Sequence, residues 1–159
     1  MRMLRRPAKS CPVPEFLIAA KPNLYRRQEE NMMETKSRHK LREIAMTSLY
    51  QHLLLNKDIR ECVYENTESN EIDQFLYTIT MDTVKYKDAY IKKISEHLSS
   101  EWTFERLGYV EQAILLMACC EIDLEIVPKP IVVDEAVTLA KKYCDEPAYR
   151  LINGVLDQL

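Results

Sequence analysis

The sequence predicts an all-α fold of six to seven helices, and three observations point there. Apolar residues recur at steps of three and four along most of the chain after residue 35, which traces one face of a helix. Only two glycines occur, Gly108 and Gly154, too few for the turns of an all-β chain. No segment reads as a strand. The 159 residues, 47% apolar and 30% charged, suit a single globular domain.

The elements follow in order. From Thr35 to about Asn56 the apolar positions Leu41, Ile44, Ala45, Leu49 and Leu53 share one helical face, with Thr35 or Ser37 as the expected cap. Residues 56–70 are polar and read as a loop with one short turn near Ile59–Tyr64. A long helix is expected over Ile72, Leu76, Ile79, Thr83, Tyr86, Tyr90, Ile94 and Leu98, with Asn70 and Asp73 resembling a capping pair. Trp102–Leu107 reads as a short helix closed by Gly108 in the C-terminal glycine position. A strongly apolar helix then runs from Tyr109 to about Ile126 and is broken by Pro128 and Pro130. Another helix carries Val133, Ala136, Val137, Ala140 and Tyr143. Pro147 marks the first turn of the last helix, which holds Leu151, Ile152, Val155, Leu156 and Leu159.

The front of the chain differs. Four of the seven prolines, Pro7, Pro12, Pro14 and Pro22, fall within the first 31 residues and interrupt any helical period. The apolar run Phe16–Ala20 is too short for a secretion signal. Residues 1–33 therefore read as a disordered extension or as an upstream start ahead of Met32 or Met33, and residues 34–159 as the folded domain.

Composition excludes several functions. Two distant glycines rule out a Walker loop, a dinucleotide fingerprint and a nucleophile elbow. The five cysteines form no C-x-x-C pair; they read as free thiols of a reducing compartment, with Cys119 and Cys120 in the core. His39, His52 and His97 have no local metal spacing, and Asp134–Glu135 are helix neighbours whose side chains diverge. No catalytic residue, metal site or cofactor is expected. No stretch approaches the length of a membrane helix.

Charge supplies the positive signal. Residues 1–42 hold 11 Lys+Arg against 4 Asp+Glu, and the remainder hold 11 against 21, so a basic front precedes an acidic body. Lys36, Arg38, His39, Lys40 and Arg42 crowd a helix start. Cations there oppose the macrodipole at about 0.3–1 kcal/mol each, and Arg38 with Arg42 is a like-charged i,i+4 pair. Two readings stand: a solvated basic face, or a polyanion contact with arginine forks on phosphates. Lys141, Lys142 and Tyr143 suit a helix C-terminus, and Tyr143 or Tyr149 offers a stacking face for an unpaired base. Tyr50 is a similar candidate or a buried tyrosine. Glu121, Asp123 and Glu125 are either a docking face for a basic protein or a solvated face.

Three stretches resemble the NusB transcription antitermination factor family. Residues 105–124, ERLGYVEQAILLMACCEIDL, resemble its central helix. Residues 127–143, VPKPIVVDEAVTLAKKY, resemble the segment that follows, and residues 151–159, LINGVLDQL, resemble its closing helix. Residues 36–51, KSRHKLREIAMTSLYQ, resemble its arginine-rich start followed by Ala-x-x-x-Leu-Tyr, here Ala45, Leu49 and Tyr50. The chain departs from the family at Leu116, where an arginine is common, and at Asp82–Thr83, where Gly-Val is common. The resemblance implies two packed three-helix subdomains. It also implies a cytoplasmic, non-enzymatic factor that binds single-stranded boxA RNA of ribosomal RNA leaders. Its implied partners are a small-subunit ribosomal protein, NusE, and the RNA polymerase antitermination complex, with no membrane.

Carried onto this sequence, the family's arginine-rich start gives Arg38, His39, Lys40 and Arg42 as RNA contacts; Lys36, Tyr50, Lys142 and Tyr143 are further candidates for the same surface, and Glu121 and Asp123 of the acidic body are the candidate partner contacts. Four neutralised phosphates would give a log affinity against log salt slope near −3. Two other readings remain. One is the RNA-targeting domain of an rRNA methyltransferase, which the missing glycine-rich cofactor loop disfavours. The other is a homodimeric interaction protein.

Overall fold

The computed structural model describes the backbone of residues 24–67 and 71–159, and the side chains of residues 38–67 and 71–159. Two compact units divide the chain, residues 1–35 and residues 36–159. The described part of the first is helical backbone from Leu24; the proline-rich stretch before it lies outside the described residues.

Seven α-helices and one 3₁₀ turn make up the described structure, with no strand. They are α1 (Leu24–Leu55), α2 (Ile59–Asn66), α3 (Gln74–Lys85), α4 (Lys87–Glu96), the turn Phe104–Arg106, α5 (Tyr109–Asp123), α6 (Lys129–Tyr143) and α7 (Glu146–Gln158). The expected all-α class stands. The first helix begins earlier than Thr35, because no proline follows Pro22 in this region and Tyr25–Glu34 is rich in good helix formers.

The centre is α5. Every residue from Gln112 to Glu121 is buried, as befits a helix that is apolar around its whole circumference. It packs against α3 and α4 and against α6 and α7. Its two buried polar residues sit at opposite ends of that run, and both are satisfied. Gln112 Nε2 donates to the carbonyls of Phe104 and Leu107 at 3.2 and 2.9 Å, which ties the 3₁₀ turn to the core. Glu121 is paired with α1. Leu116 stands fully inside this core, which explains why an apolar residue is accommodated there. Cys119 and Cys120 are core residues as expected, and burial raises both thiols above their usual pKa, Cys119 to about 11.

Local chemistry sets the helix starts. Asp58 accepts from Arg60 N–H at 2.8 Å, Asp73 from Phe75 N–H at 2.8 Å and Asp145 from Ala148 N–H at 3.1 Å; such caps contribute about 1 kcal/mol each. Asn70, the other half of the expected capping pair, lies outside the described residues. Gly108 is not a helix terminator. It has φ −62° and ψ 150° at the start of α5, and its N–H donates to the Glu111 carboxylate at 2.9 Å.

The expected single helix over residues 72–98 bends at Tyr86, which has φ −104° and ψ 15°. Helical hydrogen bonds run through the bend, from Tyr86 N–H to Asp82 O and from Tyr90 N–H to Tyr86 O, so the apolar period survives it. Thr78, Thr80 and Thr83 all donate side-chain hydroxyls to the carbonyl four residues back, a pattern that bends helices.

A candidate nucleic-acid interface on α1 and α6

Three helices meet along the second half of α1. Ser48 and Gln51 of α1 accept hydrogen bonds from the Asn66 amide of α2 at 3.3 and 2.8 Å. Charged residues join α1 to α5 and α6. They form two clusters on different faces of α1, and those clusters decide which of the basic residues face solvent.

The inward cluster centres on Arg42. Its guanidinium donates to both carboxylate oxygens of Glu121, with Nε at 2.9 and 3.2 Å and Nη2 at 2.7 Å. The side chains are only 4% and 1% exposed. Nη1 also lies 3.8 Å from Glu135 of α6, and the guanidinium stands 5.2 Å from the centroid of the Phe75 ring of α3. His39 Nδ1 is 2.7 Å from Glu135 Oε2. Arg38, half-buried, lies over the same Phe75 ring at 5.4 Å.

This arrangement corrects two expectations. Arg42 is a buried structural cation that clamps α1 to α5 and α6, so it cannot reach a phosphate. Glu121 is its counter-ion, so it cannot receive a partner protein. An acid at a helix C-terminus opposes the dipole, and the reason for this one lies 79 residues away in sequence.

The outward cluster centres on Glu43, one residue further along α1. Its carboxylate Oε1 accepts from Lys142 and, at 3.0 Å, from the Tyr143 hydroxyl. Lys40 Nζ lies 3.5 Å from Oε2. The hydrogen bond from Lys142 holds the Glu43 carboxyl below its ordinary pKa, and the same bond raises that of Lys142. The cations here remain largely solvated: the side chains of Lys40 and Lys142 are 70% and 56% exposed. Tyr143 is also exposed. Lys141 is exposed and lies 5.4 Å from the Tyr149 ring.

Beside this cluster runs a groove of about 430 Å³ lined by Lys40, Glu43, Ile44, Thr47, Asn66 and Tyr143. Three of the expected contacts, Lys40, Lys142 and Tyr143, are thus brought together across 100 residues of sequence. Tyr50 packs half-buried against the core and does not line the groove. The Lys36 side chain lies outside the described residues. Asp123 is paired with Lys93 of α4 at 2.8 Å on the exposed end of α5. Glu43, Thr47 and Asn66 were not expected. The Lys40–Glu43 spacing of three was legible as a helical pair, but nothing in sequence announced that Asn66 would close the groove from α2. Among the described residues no cluster of His, Cys, Asp and Glu could hold a metal ion.

The sequence model of the NusB family matches residues 39–159. The chain belongs to the NusB family. Its relatives include the transcription antitermination protein NusB of Oceanobacillus iheyensis, 33% identical over 77% of this chain and 98% of that protein. NusB of Dehalococcoides mccartyi strain CBDB1 is 34% identical over 79% of this chain and 90% of its own length. In three dimensions the NusB-family fold here matches a chain of the crystal structure of antitermination factors NusB and NusE in complex with dsRNA. That match has a TM-score of 0.69 and 29% identity, and covers 77% of this chain and 95% of that one. NusB of T. maritima, at 24% identity and a TM-score of 0.65, shares the fold.

Proposed function

We propose that this NusB-family chain is a non-enzymatic, cytoplasmic transcription antitermination factor. It binds single-stranded boxA RNA of ribosomal RNA leaders together with NusE, and so keeps RNA polymerase processive. The names of its relatives and the complex of NusB and NusE with dsRNA in a structural neighbour support a role in antitermination and RNA binding. The observation that carries it is the solvated set of Lys40, Lys142 and Tyr143 around a polar groove. Single-stranded RNA is held by cations along its backbone and by aromatic faces for its unstacked bases. Both are present within one patch, and Lys141 extends it. Lys36 precedes this stretch in sequence, Arg38 and His39 belong to the Arg42 cluster on another face of α1, and Tyr50 lies further along the helix. For the ribosomal partner, Asp123 remains the acidic candidate. Among the described residues no helix is long and apolar enough to cross a membrane.

With Arg42 withdrawn, three exposed lysines, Lys40, Lys141 and Lys142, set the electrostatic share. At about −0.7 per phosphate for single strands, the expected salt slope is near −2. The deciding experiment is fluorescence anisotropy of a labelled boxA RNA against a scrambled one, with and without NusE. Preference for boxA, strengthened by NusE, is the expected result. Equal affinity for both RNAs under both conditions would remove the reading. Light scattering across concentration, with and without NusE, separates it from a self-associating protein.

A further inference from the structure

The geometry points to the groove between α1, α2 and α6 as a base-reading subsite, in which the Glu43 carboxylate accepts a hydrogen bond from a nucleobase bearing an exocyclic amine. This rests on the RNA-binding reading above and adds to it a specificity that backbone contacts cannot supply.

Glu43 is a carboxylate at the centre of a cationic surface. It stands among Lys40, Lys142 and Tyr143, and tying α6 to α1 engages only one of its oxygens. Its two oxygens are unequally engaged. Oε1 accepts from both Lys142 and Tyr143. Oε2 has Lys40 alone among these partners, at 3.5 Å, the outer limit of a hydrogen bond, from a side chain 70% exposed to water. A phosphate draws such a lysine away at small cost, and Oε2 then has acceptor capacity directed at whatever fills the groove.

The groove suits one unstacked base. Its volume of about 430 Å³ falls at the small end of ordinary ligand sites, about 300–1,000 Å³. Its lining mixes an aromatic ring, Tyr143, with the polar side chains of Thr47 and Asn66 and the apolar Ile44. The Tyr143 hydroxyl is anchored on Glu43 at 3.0 Å, which fixes the ring that a base would stack on. Asn66 is anchored by three hydrogen bonds, to Ser48, Gln51 and the Cys62 carbonyl. Both walls are therefore set before RNA arrives, which lowers the ordering cost of binding.

The chemistry of Glu43 selects among bases. Lys142 keeps its carboxyl ionised well below neutral pH, so it accepts and never donates. Guanine, adenine and cytosine each offer an amino group to such an acceptor, as cytosine N4 does to Glu or Asp in duplex readout. Uracil presents two carbonyls and a single N–H, and its carbonyls are repelled.

The test uses the full chain with labelled boxA RNA and a set of variants of that RNA, each with one abasic position. One position is expected to lose about tenfold in affinity when abasic with the wild-type protein, and less than twofold with Tyr143→Ala. At that position wild type should bind RNA carrying G, A or C about tenfold more tightly than U. Glu43→Gln, whose amide both donates and accepts, should shrink that ratio below about twofold. Tyr143 is exposed, so Tyr143→Ala keeps the fold and decides the abasic step even if Glu43→Gln is unstable. The subsite is refuted, with the RNA-binding reading intact, if boxA is preferred but no abasic position couples to Tyr143. It is refuted equally if U is bound as well as the other bases at the coupled position. Equal binding of boxA and scrambled RNA overturns both.

Discussion

Replacing Arg42 by methionine separates the two roles that a basic residue on α1 can play. Arg42 and Glu121 are 4% and 1% exposed and share three hydrogen bonds of 2.7–3.2 Å. Methionine fills similar space without the charge, so Glu121 is left buried without its cation. Breaking a buried pair in this way costs about 3–5 kcal/mol. Domains of this size have only about 5–15 kcal/mol to lose. With a urea m-value of about 2 kcal/mol/M, the unfolding midpoint should fall by about 1.5–2.5 M. The double variant Arg42→Met/Glu121→Leu removes both charges and should recover most of that loss, because an apolar pair in a dry core is often as stable as the ion pair it replaces. Urea titration followed by circular dichroism measures all three proteins. The salt slope of RNA binding, measured on the double variant, should stay at its wild-type value. A single-variant loss under about 1 kcal/mol would refute the clamp. So would a double variant no better than the single one, or a slope that flattens by about 0.7.

Three further outcomes follow from the same geometry. Lys40→Ala and Lys142→Ala should each weaken boxA binding and flatten the salt slope by about 0.7, measured by anisotropy between low and moderate salt. Glu43 has a carboxyl pKa lowered from 4.5 by Lys142, so its stabilising contribution is complete above pH 4.5 and fades as pH falls through the lowered folded value. The stability gap between wild type and Glu43→Gln should accordingly narrow from pH 7 to pH 3 in urea melts. Glu125 sits just past α5 with φ 51°, a left-handed conformation that costs a residue with a Cβ about 1–2 kcal/mol. Glu125→Gly should raise stability by about 0.5–1 kcal/mol after the entropy cost of glycine, read as a higher thermal midpoint.

Helix identity was readable from sequence because it rests on local period. Ile114, Met117 and Cys120 announced α5, and Pro147 announced the first turn of α7. Boundaries were less readable where the deciding group is a side chain bonding its own backbone. The interruption at Tyr86 carries no glycine or proline to announce it, although threonine hydroxyls donate backwards along α3 before it, and at Gly108 a helix starts where Glu111 reaches back to its N–H. The site was half legible. Lys40, Lys142 and Tyr143 were named from charge and stacking chemistry, and the structure gathers them. Arg42 and Glu121 were misassigned for one shared reason. A basic run and an acidic run both look like surface until a partner far along the chain takes them inside.

The two clusters on α1 also explain why both exist. Lys40 and Arg42 are two residues apart, so their side chains leave the helix in widely different directions. The inward one sets the helix in place against α5 and α6 through Glu121 and Glu135. The outward one can then stay in water, since its register is fixed by a neighbour rather than by its own contacts. Because α1 begins at Leu24, Lys40 and Arg42 stand several turns inside the helix rather than at its start, beyond the reach of its N-terminal dipole. Lys40 is held in place by the buried clamp one turn or less away, and Glu43 hands Lys142 and Tyr143 of α6 to the same rigid edge. Weakening the clamp should therefore reach RNA binding through the placement of Lys40 relative to Tyr143, even though Arg42 touches no RNA. In Arg42→Met, measured at a urea concentration where it remains folded, boxA affinity should fall while the salt slope holds. A cation that bound phosphate directly would lower both together.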